Sequence, residues 1–332
     1  MSASGVAMEY RSIRGIDEPL SVVGLGCWPF GGRHWGDDGS PEQWIRTVHA
    51  ALELGVNWFD TAPLYGEGAA DRILARALGS RSERGRTRGG CSEVHIATKV
   101  GVRYGGGGHP YSDLSSAFVR KDCEDSLNRL GVERIGLLQV HWPCEQGTPL
   151  EETLETLHSL KEEGKIAAFG LCNYGSEPLA EALRLGASSF QLPFSMVRRE
   201  FATVFDQAGS GDSPLRGMAY ETLCRGLLTG KFSSLPRFPK TDMRRQDRRF
   251  WGVHFYQWKR WFQRVRQTAE EWELPASALA IAWVLSQPGA NFAVVGAKSS
   301  LQVSENVRAA EILGDPKRLV FLQSLVNEYL GS

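Results

Sequence analysis

The sequence carries no excess charge of either sign: 38 Lys and Arg balance 38 Asp and Glu over 332 residues. A protein that holds nucleic acid or an acidic membrane surface through its own field is thereby disfavoured. No apolar run is longer than Ala278 to Leu285, well short of the ~20 residues a membrane-spanning helix needs. The opening residues hold no leader-type apolar core and Asn-x-Ser/Thr sequons are absent, so the expected address is the cytoplasm. Cys27, Cys91, Cys123, Cys144, Cys172 and Cys224 show no Cys-x-x-Cys or Cys-x-x-His spacing. That argues against a metal site or a disulfide framework and for reduced thiols.

Phosphate-binding glycine loops are missing too. Gly24-Leu25-Gly26 lacks a third glycine, and Gly66-Glu67-Gly68 runs into Asp71 where the dinucleotide fingerprint needs a small residue. Gly226 to Lys231 is one residue short of a triphosphate loop and continues with Phe232, which cannot ligate magnesium. No repeat of solenoid period occurs.

What the sequence does contain is alternation. Eight β-rich runs (Ser21–Gly24, Asn57–Asp60, Val94–Thr98, Ile135–His141, Ile166–Gly170, Ser188–Gln191, Met218–Tyr220 and Asn291–Val295) are separated by amphipathic helical stretches. Ser40-Pro41 opens one helix, whose Trp44, Val48, Ala51 and Leu52 share a face before Gly55. Val119, Cys123, Leu127 and Leu130 mark another, Leu150, Leu154 and Leu157 a third, and Leu319, Leu322, Val326 and Leu330 a last one. The pattern predicts an α/β protein: a single-domain (β/α)8 TIM barrel over residues 1–332. Two segments fall outside the repeat: 79–92, read as a mobile surface loop, and 231–256, a long excursion after strand seven placed to cover the active site. Arg248 to Arg266 interleaves cations with aromatics. With no net positive field, it reads as an amphipathic helix rather than a nucleic-acid groove.

The predicted strand ends collect chemistry. Strand two ends at Asp60, with Tyr65 five residues on; strand three ends at Thr98-Lys99, and strand four at His141. Catalytic groups of a barrel gather on that rim. Asp60 beside Lys99 keeps the ammonium charged, and a cation near a phenol lowers its pKa. Tyr65 is therefore expected to become an acid usable near neutrality.

With these residues, the chain resembles an aldo-keto reductase. The likeness runs nearly end to end through Gly24-Leu-Gly-Cys-Trp28, Phe59-Asp-Thr-Ala-x-x-Tyr65, Gln139-Val-His-Trp-Pro143, Gly170-Leu-Cys-Asn173, Gln191-Leu-Pro193, Arg225-Gly-Leu-Leu-Thr-Gly-Lys231 and Gly296-Ala-Lys-x-x-x-Gln-x-x-Glu-Asn306. It is most similar to the bacterial and plant branch that includes inositol-associated reductases and potassium-channel β-subunits. The resemblance implies a catalytic tetrad of Asp60, Tyr65, Lys99 and His141. It also implies an extended nicotinamide dinucleotide across the barrel mouth, NADP(H) by preference. Gly26, Cys27, Trp28, Cys172, Asn173, Gln191 and Tyr220 would surround the nicotinamide end. Glu221, Leu223, Arg225, Gly226, Leu228 and Lys231 would line the pyrophosphate, and Gly296, Lys298, Gln302, Glu305 and Asn306 would take the adenosine end. A carbonyl substrate, apolar or ring-bearing, would meet Trp28, Phe30, Trp35, Leu64 and Trp142.

Two positions depart from that pattern. Cys172 stands where the family usually has Ser, replacing a hydroxyl donor by a weak thiol. Glu221-Thr222 stands where relatives show Ser or Gly and then Pro, bringing a carboxylate near the cofactor phosphates unless Arg225 or Lys231 neutralises it. The implied activity is NADPH-dependent reduction of an aldehyde or ketone with Tyr65 as proton donor. The alternative is a cofactor-binding regulatory subunit with vestigial reductase activity, since the fold does not separate the two.

Overall fold

The structure is a computed structural model that describes residues 8–32, 39–79, 93–105, 108–209 and 213–330. The eight expected runs form strands Val23–Gly26, Trp58–Asp60, His95–Val100, Ile135–Val140, Ile166–Cys172, Ser189–Pro193, Arg216–Tyr220 and Ala290–Gly296, here called strands one to eight. They are parallel and close into a barrel, strand eight pairing with strand one through Ala293 opposite Val23 and Gly296 opposite Gly26. Because all eight run the same way, their carboxyl ends share one mouth. The sequence therefore delivers Asp60, Lys99 and His141 to a single rim.

Helix punctuation follows the residues. Ser40 Oγ accepts from Gln43 N at 3.3 Å with Pro41 behind it, starting Pro41–Glu53, which buries Trp44, Val48 and Ala51. Gly131, in the left-handed region, stops Ser116–Leu130. Ala276–Leu285 is buried on every side, as its composition, apolar but for Ser277, requires. No helix among the described residues is long and apolar enough to cross a membrane.

Inside the barrel Trp58, Met218 and Phe292 pack together, and Leu20 joins them from a short antiparallel pair, Tyr10–Arg11 with Leu20–Ser21, as do Ile13 and Ile16 from the connection between its strands. These two-residue strands are too short to leave a periodic signal in the sequence. Trp58 Nε1 donates to Ser21 O at 2.7 Å, and its ring occupies the space a side chain at position 24 would need: a Cβ on Gly24 would lie 2.1 Å from it.

The excursion after strand seven is more ordered than a loop. It contains two 3-10 turns, Met243–Gln246 and Arg248–Phe250, around an aromatic knot of Phe232, Phe238 and Phe250, with ring centroids 5.1 to 6.0 Å apart. Its last five expected residues belong to the helix Gly252–Glu271, which buries Phe255, Trp261 and Phe262. Arg260, Arg264 and Arg266 of that stretch are exposed, as the amphipathic reading requires. Arg249 is drawn instead into an ion cluster described below. Of the surface loop expected at 79–92, residues 80–92 lie outside the described residues, as does Cys91.

Candidate active site

Asp60 is the last residue of strand two, Lys99 lies one residue before the end of strand three, and His141 directly follows strand four, its N–H bonded to Val100 O at 3.0 Å. Tyr65 is brought back over the mouth by a tight turn. A Cβ on Gly66 (φ +62°) would fall 2.4 Å from Gly31 O, so the backbones at 31 and 66 touch only because both lack side chains. This contact fixes the Tyr65 turn against the segment carrying Trp28, whose ring stacks on Tyr65 at 6.1 Å between centroids.

Lys99 Nζ donates to Asp60 Oδ1 at 2.7 Å, to Asp60 Oδ2 at 2.9 Å, to Thr61 O at 3.0 Å and to Tyr65 Oη at 3.3 Å. Lys99 and Asp60 are 1% and 2% exposed, a charge pair isolated from water. Burial pulls the ammonium down, but Asp60 more than offsets it and raises the pKa of Lys99 above the usual lysine value. The imidazole of His141, packed edge-on to Tyr65 at 6.1 Å, is held well below the usual histidine range by burial and then by Lys99. It is neutral at physiological pH.

Tyr65 itself corrects the expectation of an acidic phenol. Desolvation raises its pKa above 10, while Lys99, by charge and by hydrogen bond, pulls it back only in part, and Asp60 works against Lys99. An ammonium whose charge is largely balanced by a carboxylate 2.7 Å away acts on the phenol more as a dipole than as a monopole. The cluster therefore presents Tyr65 as a protonated donor, with Lys99 in place to stabilise the phenolate it would leave.

The cluster opens on a cleft of about 680 Å3. Gly26, Trp28, Asn173, Gln191 and Tyr220 line its inner end, together with the tetrad. Glu221, Leu223, Arg225, Gly226 and Lys231 also line it, as do Gly296, Lys298, Gln302, Glu305 and Asn306. Cys27, Cys172 and Leu228 do not reach it: all three are buried behind the wall, at 0%, 1% and 0% exposure. The departure at Cys172 therefore places a thiol behind the cleft, not in it. Of the expected substrate contacts, Trp28, Leu64 and Trp142 line the cleft. Phe30 turns away to stack on Trp44 at 5.0 Å, and Trp35 lies outside the described residues. Tyr104, Pro110 and Arg198 also line the cleft and were not anticipated, while Met243 and Arg244 line it from the 231–256 excursion. Tyr104 and Pro110 face each other across an antiparallel hairpin, Val102–Tyr104 with Pro110–Ser112, whose tip includes Gly105 and Gly108. The glycine cluster was the available signal for that hairpin.

Glu221 is neutralised more thoroughly than the sequence suggested. Its Oε1 accepts from Arg225 Nε at 2.8 Å, and its Oε2 from Arg198 at 2.7 Å and Arg249 at 3.4 Å. Arg249 also pairs with Asp247 at 2.6 Å. Burial would raise the pKa of Glu221, but the three guanidiniums outweigh it and hold the carboxyl below its ordinary value. Asn173, in the left-handed region at φ +65°, donates from Nδ2 to His141 O at 2.9 Å and accepts from Tyr220 Oη at 2.8 Å, so its amide orientation is fixed. No cluster of His, Cys, Asp and Glu suited to a metal ion occurs among the described residues.

A closed parallel barrel with an Asp–Lys–Tyr–His cluster at its mouth defines a class, and the match to known proteins agrees. The Aldo/keto reductase family profile matches residues 22–325, and the chain belongs to that family of oxidoreductases. Among its relatives are the aldo-keto reductase YhdN of Bacillus subtilis, 33% identical over 301 residues (89% of this chain, 87% of that protein), and the NADH-specific methylglyoxal reductase of Escherichia coli, 30% identical over 324 residues (89% and 91%). The solved structure of the glycerol dehydrogenase AKR11B4 from Gluconobacter oxydans superposes with a TM-score of 0.84 at 33% identity, covering 98% of this chain and 97% of that one.

Proposed function

We propose that the protein reduces an aldehyde or ketone to an alcohol with NADPH, Tyr65 supplying the proton. The observation that carries this reading is the 3.3 Å contact between Tyr65 Oη and Lys99 Nζ, backed by the buried Asp60 pair and opening on the cleft. The residues present suit a nicotinamide dinucleotide. Asn173 and Gln191 supply amides beside the tetrad, while Arg225, Lys231 and Lys298 add cations to the lining. In the same wall the Thr222 and Ser277 hydroxyls are buried without a hydrogen-bond partner among the described residues. When bound, the cofactor supplies the hydride.

The chain's own residues do the rest. Tyr65 Oη donates to the carbonyl oxygen and gives up its proton as negative charge develops there, and Lys99 stabilises the phenolate that remains. Neutral His141 donates to the same oxygen and fixes its approach, as a preorganised donor does best in a site shielded from water. Trp28, Leu64 and Trp142, joined by Tyr104, give the substrate end an apolar, aromatic wall that favours a ring-bearing or apolar carbonyl compound. The relative named for methylglyoxal makes a small dicarbonyl the natural comparison substrate. Lys298, just before the helix Ser300–Val307, favours the 2′-phosphate of NADPH. One relative is named NADH-specific, so the two cofactors are compared directly.

The test is single-turnover oxidation of bound NADPH by 4-nitrobenzaldehyde in wild type and in Tyr65→Phe. Loss of one general acid costs about 10²–10⁴-fold, and equal rates in the two proteins would refute the assignment. A regulatory subunit without turnover would bind NADPH and show no oxidation that depends on Tyr65.

A further inference from the structure

Behind the cleft wall Gln191 is backed by buried polar side chains, Gln139 and Ser189, that the proposed mechanism does not use. Gln191 Nε2 donates to Asp60 Oδ2 at 2.9 Å and to Gln139 Oε1 at 3.3 Å. Gln139 Nε2 in turn donates to Ser189 Oγ at 3.1 Å, with Met218 Sδ at 3.9 Å. Gln139 and Ser189 are fully buried, and Gln191 is 3% exposed.

The polarity of these hydrogen bonds follows from one charge. Asp60, paired with Lys99, only accepts hydrogen bonds, so Gln191 must turn its nitrogen toward it. The second hydrogen of that nitrogen then requires an acceptor, and Gln139 meets the requirement with its oxygen, its own nitrogen being satisfied by Ser189. Both N–H bonds of Gln191 are thus consumed inside the barrel. The group left for the cleft is Oε1, which can only accept.

We infer that Gln139 is a positioning residue: by taking the second N–H of Gln191 it makes that side chain a pure acceptor at the inner end of the cleft, selecting a ligand that offers an N–H there. Resting on the proposed function, the N–H is that of the nicotinamide carboxamide. Gln139 lies outside the cleft lining and acts through Gln191 alone. Without it, the released N–H of Gln191 is free to turn toward the cleft, and the preference for a donor fades.

The experiment compares dissociation constants of NADPH and of reduced 3-acetylpyridine adenine dinucleotide phosphate, whose methyl ketone lacks the N–H, by quenching of protein fluorescence. Wild type should favour NADPH by about tenfold, the worth of one hydrogen bond to a neutral group. In Gln139→Leu the ratio should approach unity with NADPH binding weakened only modestly. A general loss of structure would weaken both cofactors alike and leave the ratio unmoved. Ser189→Ala, which deletes a single buried atom, should shift the ratio in the same direction by less, and it reads the proposal if Gln139→Leu does not fold. A ratio unchanged in the variants overturns the role of Gln139, as does a wild type that binds both cofactors equally. A wild type that binds neither overturns the functional reading itself and this inference with it.

Discussion

Raising the pH is the sharpest perturbation of the proposed proton donor, because the structure decides the direction of the response. Desolvation holds the Tyr65 phenol above its ordinary value of 10, and Lys99 recovers only part of that shift. A group with a pKa of 10 or more is at least ~90% protonated at pH 9, so reduction, which consumes the phenolic proton, should change by less than about twofold between pH 6 and 9. His141 does not intrude, since its pKa lies well below the usual histidine value and it stays neutral across that range. Alcohol oxidation requires the opposite form of Tyr65 and should climb about tenfold per pH unit over the same window. Single-turnover absorbance at the nicotinamide band, followed in both directions in wild type and Tyr65→Phe, separates the two limbs. A reductive rate that inflects between pH 6 and 8, with the inflection lost in Tyr65→Phe, would show that the cation wins over burial after all and would refute the reasoning.

Two other outcomes can be measured. Asp122, 6% exposed and accepting from Gly101 N at 3.0 Å, has its carboxyl pushed up to about 6 by burial. The folded state therefore holds a proton that the unfolded state releases near 4, so stability falls as pH rises from about 4 to 6. Asp122→Asn should remove that slope and stabilise the protein at pH 7 by up to about 3 kcal/mol in urea unfolding; an unchanged slope would assign it to other groups. Glu221→Gln should destabilise the fold by about 3 kcal/mol, since it leaves three guanidiniums short of a buried partner. It should also tighten NADPH binding at low ionic strength, a gain that fades in high salt; a gain independent of salt would exclude the electrostatic account.

The sequence reading was most secure where local pattern and chemistry coincide. Strand two can be read from Asn57-Trp58-Phe59-Asp60 because it is short, apolar and ended by a carboxylate, and parallel pairing then sends Asp60, Lys99 and His141 to one rim without further information. Direction of the side chain was harder. Cys27 and Cys172 adjoin cleft residues Gly26 and Asn173 in sequence, yet both are buried and neither lines the cleft, because the chain turns at the strand ends there. Phe30 was lost to a neighbour, Trp44, on a different helix. The acidity of Tyr65 and the charge state around Glu221 depend on burial and on Arg198 and Arg249, which come from segments distant in the chain. Adjacency alone could suggest Arg225 but not the other two.

The touching backbones at Gly31 and Gly66 have a consequence for redesign. They rivet the loop bearing the proton donor to the loop beside it, so inserting or branching at either position would displace the phenol along with the surface being reshaped. Libraries meant to alter which compounds the enzyme accepts are better aimed at Tyr104, Pro110 and Trp142, which line the cleft and lie outside that joint.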